Sequence, residues 1–221
     1  WKSGKKILYY AGEMSALMMG YRFDTLYRNI SNTQMLMGNA DICEEYKSYT
    51  NKLAEGSGFH VVTPVDFGGK KPTIAQIETI CEELSIDLVI LDQLSLLDDG
   101  KQSDNKTSRY ANISQDIMLA SKRLQIPFIT VAQANREAEK DKKAKEDTPQ
   151  LHHVEYSDAL VQDATRVVAI KYSEGILKVS LKKNRFGGKN VDVLLKWDID
   201  KGIIEPMLDS ESLEQMGEDY G

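Results

Sequence analysis

The sequence predicts an α/β fold: a mostly parallel sheet flanked by helices, with antiparallel hairpin strands added at its C-terminal side. Two observations predict it. Apolar runs without alternation, which are typical of parallel strands covered on both faces, come first and are separated by helical patterns. Runs in which apolar and polar residues alternate come last and are typical of strands with one solvated face. The order of strands and helices in the first part implies right-handed crossover connections.

Three of the unalternating runs each end at a single polar residue. Glu13 follows Ile7 to Gly12, Asp92 follows Leu88 to Leu91, and Gln133 follows Phe128 to Ala132. Ligands of parallel sheets bind beyond the carboxyl ends of the strands, so we expect these three side chains to converge on one edge. Two carboxylates and an amide gathered there can bind a metal ion, orient a water molecule and contact a phosphate.

Helical periodicity connects these strands. Ser15 suits the first turn of the first helix, Thr73 and Gln76 give a capping-box signal for the second, and Pro127 ends the third, which starts at Tyr110. The predicted apolar positions recur every three or four residues and are Met14, Leu17, Met18 and Tyr21, then Ile74, Ile77, Cys81 and Leu84, then Ile113, Ile117, Ala120 and Leu124. A short strand is expected at 60–62, before a turn at Gly68 and Gly69.

Two polar segments without an apolar period are predicted to be loops. They are Asp98–Arg109 and Arg136–Pro149, and the second has equal numbers of acidic and basic side chains. A mobile, solvated loop and a binding segment both remain open for Arg136–Pro149.

Beyond these loops, Ser157 can cap a short helix that leads to a strand at Val167–Ile170. The turn at 173–175 pairs this strand with an alternating one, and Lys183–Gly188 forms a basic tip before a further alternating run. We expect this hairpin at the edge of the parallel sheet.

Composition limits the class of protein. The 221 residues suit one substantial domain, and a net charge of -6 with a pI near 5.2 argues against a generally basic nucleic-acid coat. Cys43 and Cys81 match no metal spacing and are interpreted as buried thiols. The sequence contains no membrane-length apolar run and no signal-peptide pattern, so a soluble, intracellular protein is expected. Residues 1–207 are assigned to the folded core, and the acidic segment 208–221 to a disordered tail.

Six motifs, in this order, resemble the motor domain of DnaB-like replicative helicases, phage versions included. They are Gly-Glu-Met-Ser at 12–15, Leu-Val-Ile-Leu-Asp-Gln-Leu-Ser-Leu-Leu at 88–97, Ser-Arg-Tyr-Ala at 108–111, Ile-Pro-Phe-Ile-Thr-Val-Ala-Gln-Ala-Asn-Arg at 126–136, Ser-Asp-Ala-Leu-Val-Gln-Asp-Ala at 157–164 and Lys-Asn-Arg-Phe-Gly at 183–187. Each motif alone is weak, but the ordered set is specific, and it spans about Lys5 to Met207.

The resemblance implies a RecA-like ATPase core and a role for each site residue. Glu13 would activate the hydrolytic water, Asp92 would belong to the Mg²⁺ site of bound ATP, and Gln133 would sense the terminal phosphate. Lys183 and Arg185 would reach the ATP of the neighbouring subunit in a homo-oligomeric, hexameric ring. From the residues alone, a capping or loop aspartate is the alternative to a metal role for Asp92, and an ordinary basic turn is favoured for the Lys183–Arg185 segment.

One family motif is absent from the chain. No Gly-x-x-x-x-Gly-Lys-Ser/Thr loop occurs in the 221 residues. In the family this loop and its strand precede the strand that opens the sequence, so we expect a fragment that begins after them and hydrolyses ATP very poorly by itself. Smaller departures are Gln93, where the family has tyrosine, and Thr165, where it has aspartate.

The resemblance also implies partners. Single-stranded DNA would be held by loops that follow the strands, with candidate contacts at Arg136, Lys140, Lys142 and Lys143, and Lys101 and Lys106 behind them. A primase, a helicase loader or a polymerase are candidate protein partners, in a bacterial cytoplasm or a phage-infected host. Two alternatives to the helicase remain open: a strand-exchange recombinase of the RecA class, and a non-catalytic assembly module that has lost the phosphate loop.

Overall fold

The computed structural model describes residues 1–39, 58–101, 105–134, 148–154, 158–188 and 191–207, with the single positions 41, 42, 44, 46, 47 and 103. Its helices are α1 (Ala16–Arg28), α2 (Asn32–Leu36), α3 (Ile74–Leu84), α4 (Lys106–Leu124) and α5 (Asp158–Asp163). Its strands are β1 (Ile7–Ala11), β2 (Phe59–Val62), β3 (Leu88–Asp92), β4 (Phe128–Thr130), β5 (Arg166–Ser173), β6 (Ile176–Asn184), β7 (Val191–Asp198) and β8 (Ile203–Pro206). The predictions for Cys43, Ser157 and the tail 208–221 lie outside the described residues.

The first sheet is parallel throughout, with the strand order β2-β1-β3-β4. Its central strands β1 and β3 supply Leu8, Tyr10, Val89 and Leu91, all with no exposed surface. The helices α3 and α4 pack their apolar positions onto these strands, and the hydrophobic core lies between them. The predicted parallel sheet flanked by helices is therefore confirmed.

Side-chain caps set the helix starts. The side chains of Ser15 and Thr73 accept hydrogen bonds from backbone amides of the first turn, and Thr73 and Gln76 form the predicted capping box. The loop predicted to run to Arg109 is shorter than expected, because Asn105 caps α4 by accepting from the Ser108 amide at 2.8 Å. The first turn of α4 is polar and carries no apolar period, so the sequence pattern placed the helix too late.

Two further predictions about α1 and β4 were wrong in detail. Leu17 in α1 is 64% exposed, whereas Met19, on another side of the helix, is 6% exposed. The strand expected to reach Ala132 ends as β4 at Thr130. The chain still stays beside β3 beyond that point, since the Val131 amide donates to the Leu91 carbonyl at 3.0 Å.

The C-terminal strands form an antiparallel sheet in the order β5-β6-β7-β8. The turns after Ser173 and Asn184 occur where the sequence predicts them. One detail differs: in the described residues the hairpins form a sheet of their own, and β4 is not hydrogen-bonded to β5. The turn between β7 and β8 contacts the helical layer, because Asp200 accepts from the Ser31 hydroxyl at 2.6 Å and from the Thr33 amide at 2.9 Å.

Candidate functional site

The parallel sheet brings the ends of β1 and β3 together. Ala11 pairs with Asp92, and the Gly12 amide donates to the Asp92 carbonyl at 2.7 Å. Position 12 is tight, because a Cβ atom there would lie 2.6 Å from Leu96 Cδ1 and 3.2 Å from the Asp92 carbonyl oxygen. Glycine at this position allows the two strand ends to approach, and this places Glu13 next to the end of β3.

The Asp92 carboxylate is held by a tyrosine on the neighbouring strand. Tyr9 Oη donates to Asp92 Oδ2 at 2.6 Å. Burial and this hydrogen bond raise the pKa of Tyr9 well above its ordinary value, so the hydroxyl remains a proton donor at neutral pH. The contact fixes the orientation of the carboxylate through one of its two oxygens.

The Glu13 carboxylate has a different partner. Gln93 Nε2 donates to Glu13 Oε1 at 2.6 Å, and the glutamine is only 8% exposed while Glu13 itself is exposed. Gln93 directly follows Asp92, so the residue that orients Glu13 is the chain neighbour of the second carboxylate. Sequence reasoning missed Tyr9 and the role of Gln93. The sequence signal for Gln93 was its departure from the family's tyrosine at that position, which on its own did not predict the contact with Glu13.

Gln133 lies three residues past the end of β4, the strand next to β3, and its side chain is exposed. The Leu94 amide donates to the Val131 carbonyl at 3.0 Å, so this segment follows the end of β3 closely. The described contacts join Glu13 and Asp92 through Gln93. They place Gln133 on the neighbouring segment, and its role as a phosphate sensor stays a prediction.

Lys183 and Arg185 lie at the end of β6, in the second sheet. Lys183 Nζ donates to the carbonyls of Val161 and Gln162, the latter at 3.0 Å, and Arg185 Nη2 donates to the Gln162 carbonyl. Burial and the Arg185 guanidinium lower the pKa of Lys183. Both cations therefore bind the last carbonyls of α5, where the negative end of a helix stabilises them. Phe186, beside them, is 78% exposed.

The loop after β3 is ordered by a buried aspartate. Asp99 accepts hydrogen bonds from Asn112 Nδ2 at 3.1 Å and from the Ser103 hydroxyl, and these contacts lower its pKa to about 2. Lys101 is on this loop, and its Nζ atom lies 3.8 Å from Asp116 Oδ1. Lys106 is exposed at the start of α4. The main candidates for DNA contact, Arg136, Lys140, Lys142 and Lys143, lie outside the described residues.

Among the described residues, no three carboxylate, imidazole or thiol groups converge to hold a metal ion. Nor does the described part of the chain contain a helix long and apolar enough to cross a membrane.

One known family accounts for most of the sequence. The family described as DnaB-like helicase C terminal domain matches residues 1–200. The chain belongs to this family. It is 26% identical over 196 residues to a probable plasmid replicative DNA helicase of Chlamydia psittaci, covering 84% of this chain and 42% of that protein. It is 29% identical over 98 residues to replicative DNA helicase DnaB of Mycobacterium intracellulare, covering 43% of this chain and 16% of that protein. The chain thus spans less than half of these relatives.

Solved structures agree on the fold. One solved ATPase domain superposes with a TM-score of 0.82 at 17% identity, covering 94% of this chain and 76% of that one. A DnaB-like replicative helicase described with its primase interactions also gives 0.82 at 17% identity, covering 94% of this chain and 52% of that one. The RadB recombinase gives 0.51 at 15% identity, with 94% and 81% coverage. The fold is therefore RecA-like, and it matches the first two structures better than the recombinase.

Proposed function

We propose that this chain is the motor domain of a replicative helicase. The motor uses ATP and Mg²⁺ at the subunit interfaces of a homo-oligomeric, hexameric ring to move along single-stranded DNA and separate the duplex. The observation that carries the proposal is the position of Glu13 and Asp92 at the adjacent ends of β1 and β3, with Gln93 bonded to Glu13, in a chain of the DnaB-like family. The proposed setting is the cytoplasm of a bacterium or of a phage-infected host.

Each carboxylate has a separate task in this proposal. Asp92, oriented by Tyr9, holds the water shell of the Mg²⁺ that accompanies ATP. When bound, the ion stabilises the charge on the terminal phosphate. Glu13, exposed and oriented by Gln93, accepts a proton from the attacking water. Gln133 contacts the terminal phosphate and loses that contact after hydrolysis.

Lys183 and Arg185 serve the ATP of the next subunit. Their position on a hairpin of the second sheet, which shares no strand with the sheet of Glu13 and Asp92, supports a role outside their own subunit's site. Both now donate to carbonyls of α5. They must exchange these carbonyls for phosphate oxygens in the ring, and a guanidinium binds phosphate through stronger, charge-assisted hydrogen bonds.

The phosphate-binding strand and loop are supplied from outside these 221 residues. The outer edge of β4 is the natural position for them: in the described residues β4 pairs only with β3, and its Ile129 and the following Val131 are 50% and 42% exposed. A strand added there would extend the parallel sheet and place its loop at the same edge of the sheet as Asp92.

The partners follow from the same assignment. Single-stranded DNA is held by four cations, Arg136, Lys140, Lys142 and Lys143. The acidic segment 208–221, beyond the core 1–207, keeps the protein soluble or docks a polymerase or loader. One structural relative is described with its primase interactions, and primase is a proposed partner here as well. Removing the charge of the four cations should flatten the salt dependence of DNA affinity.

A second candidate is a non-catalytic assembly module, favoured only by the absence of Gly-x-x-x-x-Gly-Lys-Ser/Thr from the sequence. The test is ATP hydrolysis with the phosphate-binding segment present and absent. We expect very poor turnover by the 221 residues alone and DNA-stimulated turnover with the segment. Glu13→Gln should then lower kcat at least about a hundredfold, and Glu205→Gln, an exposed glutamate on β8, should not change it. An unchanged kcat in the Glu13→Gln variant would contradict the proposal.

A further inference from the structure

The residues 148–154, here called the strap, contain two fully buried polar side chains. Thr148 has no exposed surface and His153 is 1% exposed. The strap has its own internal order: the Gln150 amide donates to His153 Nδ1 at 3.1 Å, and Gln150 Nε2 donates to the Thr148 carbonyl at 3.2 Å. A segment held in this way moves as one unit.

One end of the strap is bonded to β6. The Thr148 hydroxyl donates to the Ser180 hydroxyl at 2.8 Å, and neither residue has any exposed surface. Water cannot replace either partner there, so loss of one hydroxyl leaves the other without its hydrogen bond. Ser180 lies on β6, the strand that also carries Lys183 and leads directly to Arg185.

The other end of the strap is bonded to the segment that follows β4. Val154 forms an antiparallel bridge with Ala134, the residue directly after Gln133. The strap thus contacts the residue next to the predicted phosphate sensor at one end and the strand of the predicted trans-acting cations at the other. The contacts between these two regions are continuous through described residues.

We infer that the strap is a positioning element that couples the Gln133 strand end to β6, with the Thr148–Ser180 hydrogen bond as its fixed connection. The inference rests on the proposed function. A shift of the segment around Gln133 moves Val154, the strap moves with it, and Ser180 passes the displacement to the end of β6. Nucleotide state in one subunit thereby alters how Lys183 and Arg185 are presented to the next.

A purely structural role predicts a different result from this coupling role. A buried hydroxyl pair that only stabilises the fold changes the free energy of unfolding and leaves regulation intact. A coupling pair changes the ratio of DNA-stimulated to basal ATP hydrolysis at a temperature where every variant is folded. This ratio separates the two roles, because a uniform loss of folded protein lowers both rates equally.

The experiment compares Thr148→Val, which keeps the shape and removes the hydroxyl, with Thr148→Ser, which keeps the hydroxyl. Both are made in the ATP-hydrolysing form of the protein, with the phosphate-binding segment present, and assayed with a single-stranded oligonucleotide. We expect Thr148→Val and Ser180→Ala each to reduce DNA stimulation roughly fivefold, the lower end of the range for coupled sites. Thr148→Ser should retain it, and the double variant should be no worse than either single one.

The matched control is Ser121→Ala, which removes a hydroxyl that donates to the Ile126 carbonyl at 2.7 Å, far from the strap in sequence and on α4. Unchanged stimulation in Thr148→Val, an equal loss in Thr148→Ser and Ser121→Ala, or failure of both hydroxyl-deleted variants to fold would each overturn the coupling role. If the wild-type protein shows no DNA-stimulated hydrolysis, the proposed function fails. Stimulation that persists equally in all variants removes the strap inference alone.

Discussion

The two sheets of this chain differ in how they bury their apolar residues. Val89 in β3 of the parallel sheet has no exposed surface, whereas Val168 in β5 of the antiparallel sheet is 49% exposed. The same side chain, on a strand of similar pattern, is thus fully packed in one sheet and half solvated in the other. The difference arises because α3 and α4 cover the parallel sheet within the described residues.

The antiparallel sheet exposes a continuous apolar face. Directly paired residues lie on one face of such a sheet, and the register aligns Val168 with Leu181 and Val191, and Ile170 with Val179 and Val193. Ile170, Val191 and Val193 are 58%, 54% and 45% exposed. Exposed apolar faces of this extent mark sites of interaction. The Glu13 and Asp92 edge is held by contacts within this chain, while the sheet with Lys183 and Arg185 leaves apolar side chains exposed.

The largest effect is expected when the substitutions of Glu13 and Arg185 are placed in different subunits of one ring. If Glu13 acts in its own subunit and Arg185 acts in the next, rings made only of Glu13→Gln or only of Arg185→Ala should each lose on the order of a thousandfold in ATP turnover. Mixed rings should regain activity, because an intact Glu13 from one variant meets an intact Arg185 from the other. Equal mixing should restore about a quarter of the interfaces of a cyclic ring.

The measurement is steady-state ATP hydrolysis after the two variants are mixed, with each variant mixed with wild-type protein as a control. If mixtures of the two variants remain as inactive as the pure rings while each variant assembles with wild type, Arg185 does not act across the interface. The contrast between the two sheets would then be one of packing only.

The next largest effect compares the same substitution in the two sheets. Val89→Ala should lower the free energy of unfolding by about 2 kcal/mol, because it removes two fully buried methyl groups. Val168→Ala should change it by less than about 0.5 kcal/mol, as is usual for exposed positions. Urea unfolding at constant m-value measures both. Equal losses would show that the antiparallel face is covered within this chain and that the two sheets do not differ in packing.

The sequence predicts the parallel sheet well because its signal is local. The capping box of Thr73 and Gln76 and the stripe of Ile74, Ile77 and Cys81 are patterns within one helix, and all three stripe residues are buried. The same kind of pattern failed in α1, where Leu17 fits the apolar period and is 64% exposed. Periodicity locates a helix but cannot tell which face the rest of the fold covers.

The site shows the same division between what a local pattern reveals and what packing decides. Glu13 and Asp92 follow from apolar runs that stop at one polar residue, and the register of β1 and β3 brings them together. Tyr9 and Gln93 could not be assigned from the pattern, since their bonds to Asp92 and Glu13 join positions 83 and 80 residues apart. Such contacts depend on strand register, which one sequence does not state.

A smaller effect is expected from a substitution at the Glu13 and Asp92 edge itself. Gln93→Leu removes the amide that donates to Glu13, so the carboxylate loses its fixed orientation. We expect kcat to fall about tenfold with little change in the KM for ATP, as is typical when a partner of a site residue is removed. Gln34→Leu, at an exposed glutamine on α2, serves as the control. A raised KM with unchanged kcat would assign Gln93 to nucleotide binding instead.

The smallest effect concerns Tyr9 and depends on pH. Tyr9→Phe removes the hydrogen bond to Asp92 and should lower the free energy of unfolding by about 1 kcal/mol at neutral pH. Burial and that hydrogen bond raise the folded-state pKa of Tyr9 above its ordinary value of 10.0. The folded protein therefore holds this proton more tightly than the unfolded chain does. The stabilisation is fully present below pH 10.0 and is lost as the pH rises through the folded-state pKa.

The measurement is the difference in unfolding free energy between wild type and Tyr9→Phe across pH, since other groups titrate in both proteins and cancel. The difference should stay constant from pH 7 to about pH 10 and decline above it. A difference that changes below pH 9 would mean that a group other than the tyrosine hydroxyl controls the contact. The orientation of Asp92 would then depend on groups other than Tyr9, and the hydrogen bond from Tyr9 would not be the contact that fixes the carboxylate at this edge of the parallel sheet.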